Sequence, residues 1–478
     1  MSELREECGV YGYFANETYD GIAASAYYAL FALQHRGQES CGIVVNDYGV
    51  FSSYKDRGLV EDVFTPERIA ALGSGNIAIG HCRYGTSGTR NRSNSQPIVV
   101  NHIKGRMAVA HNGSLTNYYD LREQLELQGS IFHTNSDAEI IAYMITKERL
   151  TASSIEQAVE RSMDVIKGAY SMVVMSPKKL IAARDPKGFR PLCFGKTEDG
   201  SYVVASETCA LDAAGARFVR DIEPGEIVVF TKDGIKSITT HCKKEKKSMC
   251  VFEFIYFARP DSVLDGCSVH EARARAGEFL AMEHPVEADV VIGVPDSGID
   301  AAIGYARQSG IPYGVGLIKN KYIGRTFIAP GQKQREDKVR IKLNTIASTV
   351  KGKRVVLIDD SIVRGTTCAR IIKLIRDAGA TEVHMRVSAP PFLNPCYYGT
   401  DISSKNVLIA NNHTLEEIEK IIGVDSLGYI SIEHARQIAK GIPSSDFCTA
   451  CFDGIYPTET PNEEKKNRFE NKIPEDKR

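Results

Sequence analysis

Cys8 stands in Met1-Ser-Glu-Leu-Arg-Glu-Glu-Cys8-Gly-Val-Tyr-Gly, where a short acidic leader meets a Cys-Gly pair and then an apolar run. If residues 1–7 are a propeptide, their removal makes Cys8 the amino terminus, and one residue then carries both a thiol nucleophile and an α-amine able to act as its base. The leader is too short and too acidic for a secretory signal, which starts basic and then turns apolar. A lone early cysteine is otherwise a small buried hydrophobe, so the chemical reading depends on partners elsewhere. Arg83 follows the apolar run Ile77-Ala78-Ile79 in His81-Cys82-Arg83-Tyr84, and a guanidinium at a strand end can grip a carboxylate with two parallel bonds. His111-Asn112-Gly113 lies between two β-like runs. Asn-Gly is a common hairpin turn, yet the Asn112 amide and the Gly113 N–H also suit an oxyanion. His133-Thr-Asn-Ser136-Asp137-Ala-Glu139 reads as an N-cap box or as a device presenting Asp137 to an ammonium group. Thiol, oxyanion donors, carboxylate grip and ammonium partner together describe a site for free glutamine.

A second constellation lies in Val355-Val-Leu-Ile-Asp359-Asp360-Ser361-Ile-Val363-Arg364-Gly365-Thr366-Thr367. A buried strand ends in two adjacent carboxylates, and a loop bearing hydroxyls and a glycine leads into a helix. Loop N–H groups and the positive end of that helix make an anion site. Gly365 lets the backbone approach a ligand closely, and Thr366 and Thr367 add hydroxyl donors. Asp359 and Asp360 repel each other unless something shares their charge; a ribose diol and a magnesium ion would do so. A strand-end Asp pair can also serve only as turn and cap residues. Late in the chain, Cys448-Thr-Ala-Cys451 is a CxxC pair compatible with zinc, a redox pair or chance.

The elements that must position these groups fall into two textures. The first half reads as mixed α and β with short strands such as 42–45 and 107–110, and with helices over 22–33 and 139–150. Turns stand at Asp185-Pro-Lys-Gly188 and Glu223-Pro-Gly-Glu226. The basic run Lys243-Lys-Glu-Lys-Lys247 marks the boundary. Beyond it, apolar runs at 288–294 and 354–359 and a third strand candidate at 382–387 alternate with helical spacing at Ile371, Leu374, Ile375 and Ala378, which Gly379 would cap. Strand–helix–strand repetition implies a parallel sheet with helices on its faces. The expected organisation is a propeptide over 1–7, a first domain over 8–245, a second over 250–457, and a charged, disordered tail over 458–478.

With 43% hydrophobic and 25% charged residues in 478, the chain has ample core for a globular protein. A formal net charge of −1 gives no bulk attraction to nucleic acid or an anionic membrane, and no apolar run is long enough to span a bilayer. Twelve cysteines without a secretion signal argue for a reducing cytoplasm, where clustered cysteines are metal ligands or nucleophiles rather than disulfides.

The 355–367 string resembles the binding signature of the type I phosphoribosyltransferases. The resemblance implies that Asp359 and Asp360 hold the ribose hydroxyls of phosphoribosyl pyrophosphate while Ser361, Val363, Arg364, Gly365, Thr366 and Thr367 wrap its 5′-phosphate. Gly293-Val-Pro-Asp-Ser297-Gly298 would be the pyrophosphate loop, with Ser297, Asp359 and Asp360 around magnesium. Lys319-Asn-Lys-Tyr322-Ile-Gly324-Arg325-Thr326-Phe327 suits a lid over a polyanion, or simply a solvated basic loop. The Cys8, Arg83, Asn112, Gly113 and Asp137 set, with Leu33-Gln-His-Arg36-Gly37-Gln38-Glu39-Ser40, resembles the N-terminal-nucleophile glutamine amidotransferases. The two resemblances imply an α+β first domain of stacked antiparallel sheets between helices and an α/β second domain with a mainly parallel sheet. They imply an enzyme of purine synthesis that aminates phosphoribosyl pyrophosphate with ammonia from glutamine, passed along a closed route. They also imply a homotetramer under feedback by purine nucleotides. The contexts of Cys250, Cys396, Cys448 and Cys451 resemble a subgroup holding a [4Fe–4S] cluster on four thiolates, with a four-cysteine zinc site as the alternative. Cys41, Cys82, Cys193, Cys209, Cys242, Cys267 and Cys368 read as small buried hydrophobes. Two other classes stay open: an amidotransferase acting on another sugar phosphate, and a sensor of phosphoribosyl pyrophosphate with a silent glutaminase.

Overall fold

The computed structural model describes residues 8–84, 92–320, 343–400, 402 and 404–461, which divide into two compact units. The amino-terminal unit holds the described residues through Lys247 together with residues 397–400 and 456–461. The carboxy-terminal unit holds the described residues of 248–396 and 402–455.

In the amino-terminal unit short apolar runs form the strands β1 (Gly9–Tyr19), β2 (Ser40–Asp47), β3 (Val50–Arg57) and β4 (Gly75–Arg83). They continue with β5 (Ile98–His102), β6 (Gly105–Leu115), β7 (Gly168–Met175), β8 (Leu180–Arg184) and β9 (Cys193–Thr197). The set ends with β10 (Tyr202–Ala205), β11 (Ala216–Asp221), β12 (Ile227–Thr231) and β13 (Gly234–Ile238). Two antiparallel sheets result, in the orders β11-β9-β10-β1-β4-β2-β3 and β13-β12-β8-β7-β6-β5. Because successive side chains on a strand point to opposite faces, each central strand serves two cores. On β1, Val10 and Phe14 join Ala108, Ala110, Val173 and Phe230 between the sheets, while Tyr11 and Tyr13 face α1 (Ile22–Ala32). On the far side of the second sheet, Val109, Met172 and Val174 pack with α2 (Asp137–Arg149) and α3 (Ile155–Met163). A short helix, α4 (Thr208–Ala213), completes the layer over the first sheet. The layers therefore run helix, sheet, sheet, helix, as the resemblance implied.

One local expectation is overturned. Asn112-Gly113 is not a hairpin turn: both residues lie within β6, opposite Ser171 and Tyr170 of β7. Gly113 keeps strand pairing while its φ is +134°, and a Cβ there would stand 2.2 Å from the Ala169 carbonyl oxygen. A residue that reads as a turn by type is thus a distortion inside a strand.

The carboxy-terminal unit opens on β14 (Met249–Cys250). Its parallel sheet is β15 (Val290–Gly293), β16 (Arg354–Asp359), β17 (Glu382–Val387) and β18 (Ser426–Tyr429), in that spatial order. On one face Val291, Val356 and Ile358 pack with α5 (Val269–Glu283) and α6 (Ile299–Ser309). On the other, Ile292, Leu357 and Met385 pack with Ile371, Ile372 and Ile375 of α7 (Thr366–Asp377). Burial on both faces explains why β15 and the centre of β16 read as unbroken apolar runs. A last strand, β19 (Phe447–Cys448), returns to pair in parallel with β14. Among the described residues no helix is long and apolar enough to cross a membrane.

Candidate functional site

In the amino-terminal unit, Cys8 precedes β1, and the β1–β4 register, which pairs Gly9 with Cys82, sets Cys8 opposite Arg83 when carried one step further. The half-buried Cys8 thiol points toward the Tyr84 carbonyl at 3.9 Å. Its own carbonyl accepts from Arg36 Nε at 2.9 Å. Arg36 is fully buried and paired with the equally buried Glu207 at 2.6 Å; Glu207 also takes the His35 ring at 2.8 Å. The turn carrying Arg36 can sit under β4 because Gly37 has no side chain; a Cβ there would fall 2.7 Å from the backbone of Cys82 and Arg83. The Arg83 guanidinium is 3.8 Å from Glu39, loose enough to turn toward a ligand carboxylate.

Asn112 is buried on β6, and among the described residues neither its amide nitrogen nor its amide oxygen has a hydrogen-bond partner. Buried polar groups are otherwise satisfied, so an unpartnered donor beside the distorted Gly113 is what an oxyanion site requires. Asp137 is the first residue of α2, behind the Ser136 cap. Its carboxylate accepts from His111 Nε2 at 2.8 Å and from the Leu115 N–H at 3.1 Å. Burial opposes its charge, but His111, the Leu115 N–H and Arg83 outweigh burial and hold the carboxyl below its ordinary range. The helix N-terminus favours the same anion.

In the carboxy-terminal unit, Asp359 and Asp360 end β16, both buried. The Asp360 N–H donates to the Asp359 carboxylate at 2.9 Å, and Asp360 in turn accepts from the hydroxyls of Ser297 and Ser361. Burial, and then the charge of Asp360, raise the Asp359 carboxyl above its usual range. The loop beyond is pinned at Val363, whose carbonyl accepts from the Ile409 N–H at 2.8 Å. Gly365 takes φ +78° at the start of α7, where a Cβ would strike Ile409 at 2.7 Å. Arg364 and Thr366 are exposed, and Thr367 is half-buried at the helix N-terminus. Alongside, the 293–298 loop closes through a Gly298 N–H to Val294 carbonyl bond of 2.9 Å, and Gly298 approaches the Ile358 carbonyl too closely for any side chain. Lys319 pairs with Asp296 of that loop. Tyr322, Gly324 and Arg325 of the expected lid lie outside the described residues.

Cys250 and Cys448 face each other in register on β14 and β19. The Cys451 carbonyl accepts from the N–H groups of Leu393 and Asn394, both at 3.0 Å, which draws the segment before Cys396 to the same place. Burial first, and then the neighbouring Cys396, Cys250 and Cys448, push the Cys451 thiol far up. Phe252, Phe392, Phe447 and Phe452 wall this part of the core. Of the remaining seven cysteines, Cys41, Cys82, Cys193, Cys209, Cys267 and Cys368 are buried as expected, and Cys242 is half-exposed.

Sequence reasoning did not assign Glu207, His81 or His111, nor the strap at 397–400. In that strap Tyr398 stacks on Phe189 with ring centres 4.2 Å apart and its carbonyl accepts from the buried Arg190, while Gly399 lies against Gly113. A buried charge or a distant strap has no local signature; His111 alone, adjacent to Asn112, was within reach.

The family model for a glutamine amidotransferase domain matches residues 81–213, and that for a phosphoribosyl transferase domain matches residues 269–425. The chain is 49% identical to the amidophosphoribosyltransferase of Archaeoglobus fulgidus over 96% of its own length and 99% of that protein's. It is 48% identical to that of Bacillus subtilis, covering 95% of each. Two solved structures superpose on it. One is described as the allosteric regulatory enzyme of purine biosynthesis, with TM-score 0.88 and 46% identity over 95% of this chain and 97% of that one. The other is glutamine phosphoribosylpyrophosphate amidotransferase from B. subtilis complexed with ADP and GMP, with TM-score 0.87 and 46% identity over 95% and 98%. The chain belongs to the amidophosphoribosyltransferase family.

Proposed function

We propose that this enzyme converts 5-phosphoribosyl 1-pyrophosphate and glutamine to 5-phosphoribosylamine, glutamate and pyrophosphate, the committing step of purine synthesis. The observation that carries the reading is the buried Asn112 amide, without a hydrogen-bond partner among the described residues, in a chain whose Cys8 carbonyl is clamped by Arg36. With residues 1–7 removed, the Cys8 thiolate attacks the side-chain amide of glutamine and its α-amine relays the proton. Asn112 and Gly113 stabilise the oxyanion. Arg83 binds the α-carboxylate and Asp137 the α-ammonium. Ammonia leaves, and water releases glutamate from the thioester.

In the second unit Asp359 and Asp360 take the ribose hydroxyls, and Ser361, Val363, Arg364, Gly365, Thr366 and Thr367 take the 5′-phosphate. Ammonia attacks the anomeric carbon as pyrophosphate departs, inverting that carbon. Two adjacent buried carboxylates need something to share their charge, and a bound cation would do so. Magnesium held near Ser297, Asp359 and Asp360 would neutralise the departing pyrophosphate. Lys319 and the lid segment would close over it.

Cys250, Cys396, Cys448 and Cys451, whose thiols influence one another, would hold a [4Fe–4S] cluster, with zinc at the same four cysteines as the alternative. A cluster here would tie the start of the carboxy-terminal unit to its end. The ADP and GMP bound to the B. subtilis relative support feedback by purine nucleotides here. We assign a homotetramer and a cytoplasmic location on the family's pattern.

The test is glutamate and pyrophosphate release by anaerobically purified protein given glutamine, phosphoribosyl pyrophosphate and magnesium. Equal yields, each needing both substrates, support the coupled reaction. Cys8→Ala should lose glutamine use and keep ammonia-driven synthesis. Failure of the wild type with both glutamine and ammonia would favour a sensor of phosphoribosyl pyrophosphate with a silent glutaminase.

A further inference from the structure

β5 stops pairing with β6 at the Ile98–Val109 pair, because Pro97 ends the strand. The backbone of His111, just beyond, is taken up by side chains instead. Its N–H donates to Gln96 Oε1 at 2.8 Å, and its carbonyl accepts from His81 Nε2 at 3.0 Å. A carbonyl only accepts, so His81 carries its proton on Nε2. His81 lies on β4, two residues before Arg83. The His111 ring then reaches α2 and donates from Nε2 to Asp137, while its other nitrogen is buried and has no partner among the described residues. The bond to Asp137 is therefore what orients the ring. One buried residue thus joins β4 with Arg83, β6 with Asn112 and Gly113, and α2 with Asp137.

We propose that His111 is a positioning residue for glutamine recognition, holding the Asp137 carboxylate so that its free lone pairs meet the substrate α-ammonium. This rests on the glutaminase reading of the Cys8 site and assigns to it a determinant of selectivity for α-amino amides. Asp137 already accepts the Leu115 N–H on its second oxygen. With both oxygens anchored on the protein side, the carboxylate cannot swing, and an ammonium finds it preorganised.

The experiment compares His111→Leu, which removes the donor, with His111→Gln, which can offer an N–H at about the reach of Nε2. Substrates are glutamine and 4-carbamoylbutanoate, which is glutamine without its α-amine, each with phosphoribosyl pyrophosphate and magnesium. Ammonia-driven synthesis is measured in parallel. In His111→Leu the KM for glutamine should rise roughly 10- to 100-fold, the range of one hydrogen bond to a charged group. Hydrolysis of 4-carbamoylbutanoate and ammonia-driven synthesis should stay at wild-type levels, and His111→Gln should restore most of the preference for glutamine.

Equal losses with both amides, or an unchanged glutamine KM, would overturn the proposal and place His111 with the oxyanion strand or with packing alone. If His111→Leu also loses ammonia-driven synthesis, the Gln variant decides: retained preference supports the proposal, and lost preference overturns it. Failure of the wild type to release glutamate would sink the parent reading instead, a result no His111 variant can imitate.

Discussion

Glu207→Gln removes one charge from an ion pair whose partners are both fully buried. Arg36 cannot shed its proton, so the substitution takes the Glu207 counter-charge away from a buried guanidinium. Breaking a buried pair on one side costs about 3–5 kcal/mol. For a unit of this size that corresponds to roughly 10 °C in unfolding temperature. The His35 ring loses the same carboxylate, so the upper half of the range is expected. Because Arg36 Nε holds the Cys8 carbonyl, glutamine use should fall while ammonia-driven synthesis persists below the new melting temperature. Replacing both residues, Arg36→Met with Glu207→Met, separates the two effects. Apolar substitution of a whole buried pair is nearly neutral or stabilising, so the double variant should regain stability yet keep the glutaminase defect. The assays are calorimetric or denaturant unfolding of the full chain and initial rates with glutamine and with ammonia. A Glu207→Gln protein as stable as wild type to within about 0.5 kcal/mol, the scale of an ordinary surface change, would refute the reasoning. So would a double variant with full glutamine activity.

Burial, outweighing the hydrogen bond to His111, brings the His81 ring down to about 3, with His111, Arg83 and Lys55 adding repulsion. Below the unfolded value near 6.5 the unfolded chain binds the extra proton, so stability rises with pH between about 3 and 6.5 and is lost on acidification through that window. His81→Gln should remove about 2 kcal/mol of the stability lost between pH 6.5 and 5; urea midpoints at the two pH values check it. Gly113→Ala would drive a Cβ to 2.2 Å from the Ala169 carbonyl. It should cut glutamine-dependent rate by about 100-fold or more, the scale of one oxyanion donor, with ammonia-driven synthesis as the intact control. Metal and acid-labile sulfide analysis should find iron and sulfide in equal amounts, with both lowered by Cys451→Ser; stoichiometric zinc without sulfide would decide for the alternative.

Local chemistry carried much of this protein. The 354–359 and 382–387 strands occur with the bounds read from the sequence; the first has an apolar centre buried on both faces, whereas in the second Glu382, His384 and Arg386 alternate with Val383, Met385 and Val387. The helix expected over 139–150 occurs at Asp137–Arg149 and puts the candidate amine-binding carboxylate in its first turn. The proposed phosphate loop could be read along the chain because strand, acid pair, hydroxyls and glycine are contiguous, so spacing along the chain is spacing in space. Asn112-Gly113 misled, since residue type alone cannot tell a turn from a strand whose φ is forced positive by its neighbours. What only the tertiary structure decided is the network beneath the chemistry: Arg36 with Glu207 under Cys8, and His81 with His111 behind Asp137. Those partners lie between 26 and 171 residues apart. Sequence can name a nucleophile and its donors from residue type. It cannot show which buried charge or ring nitrogen will hold them in place, because that choice is made by two sheets packing together.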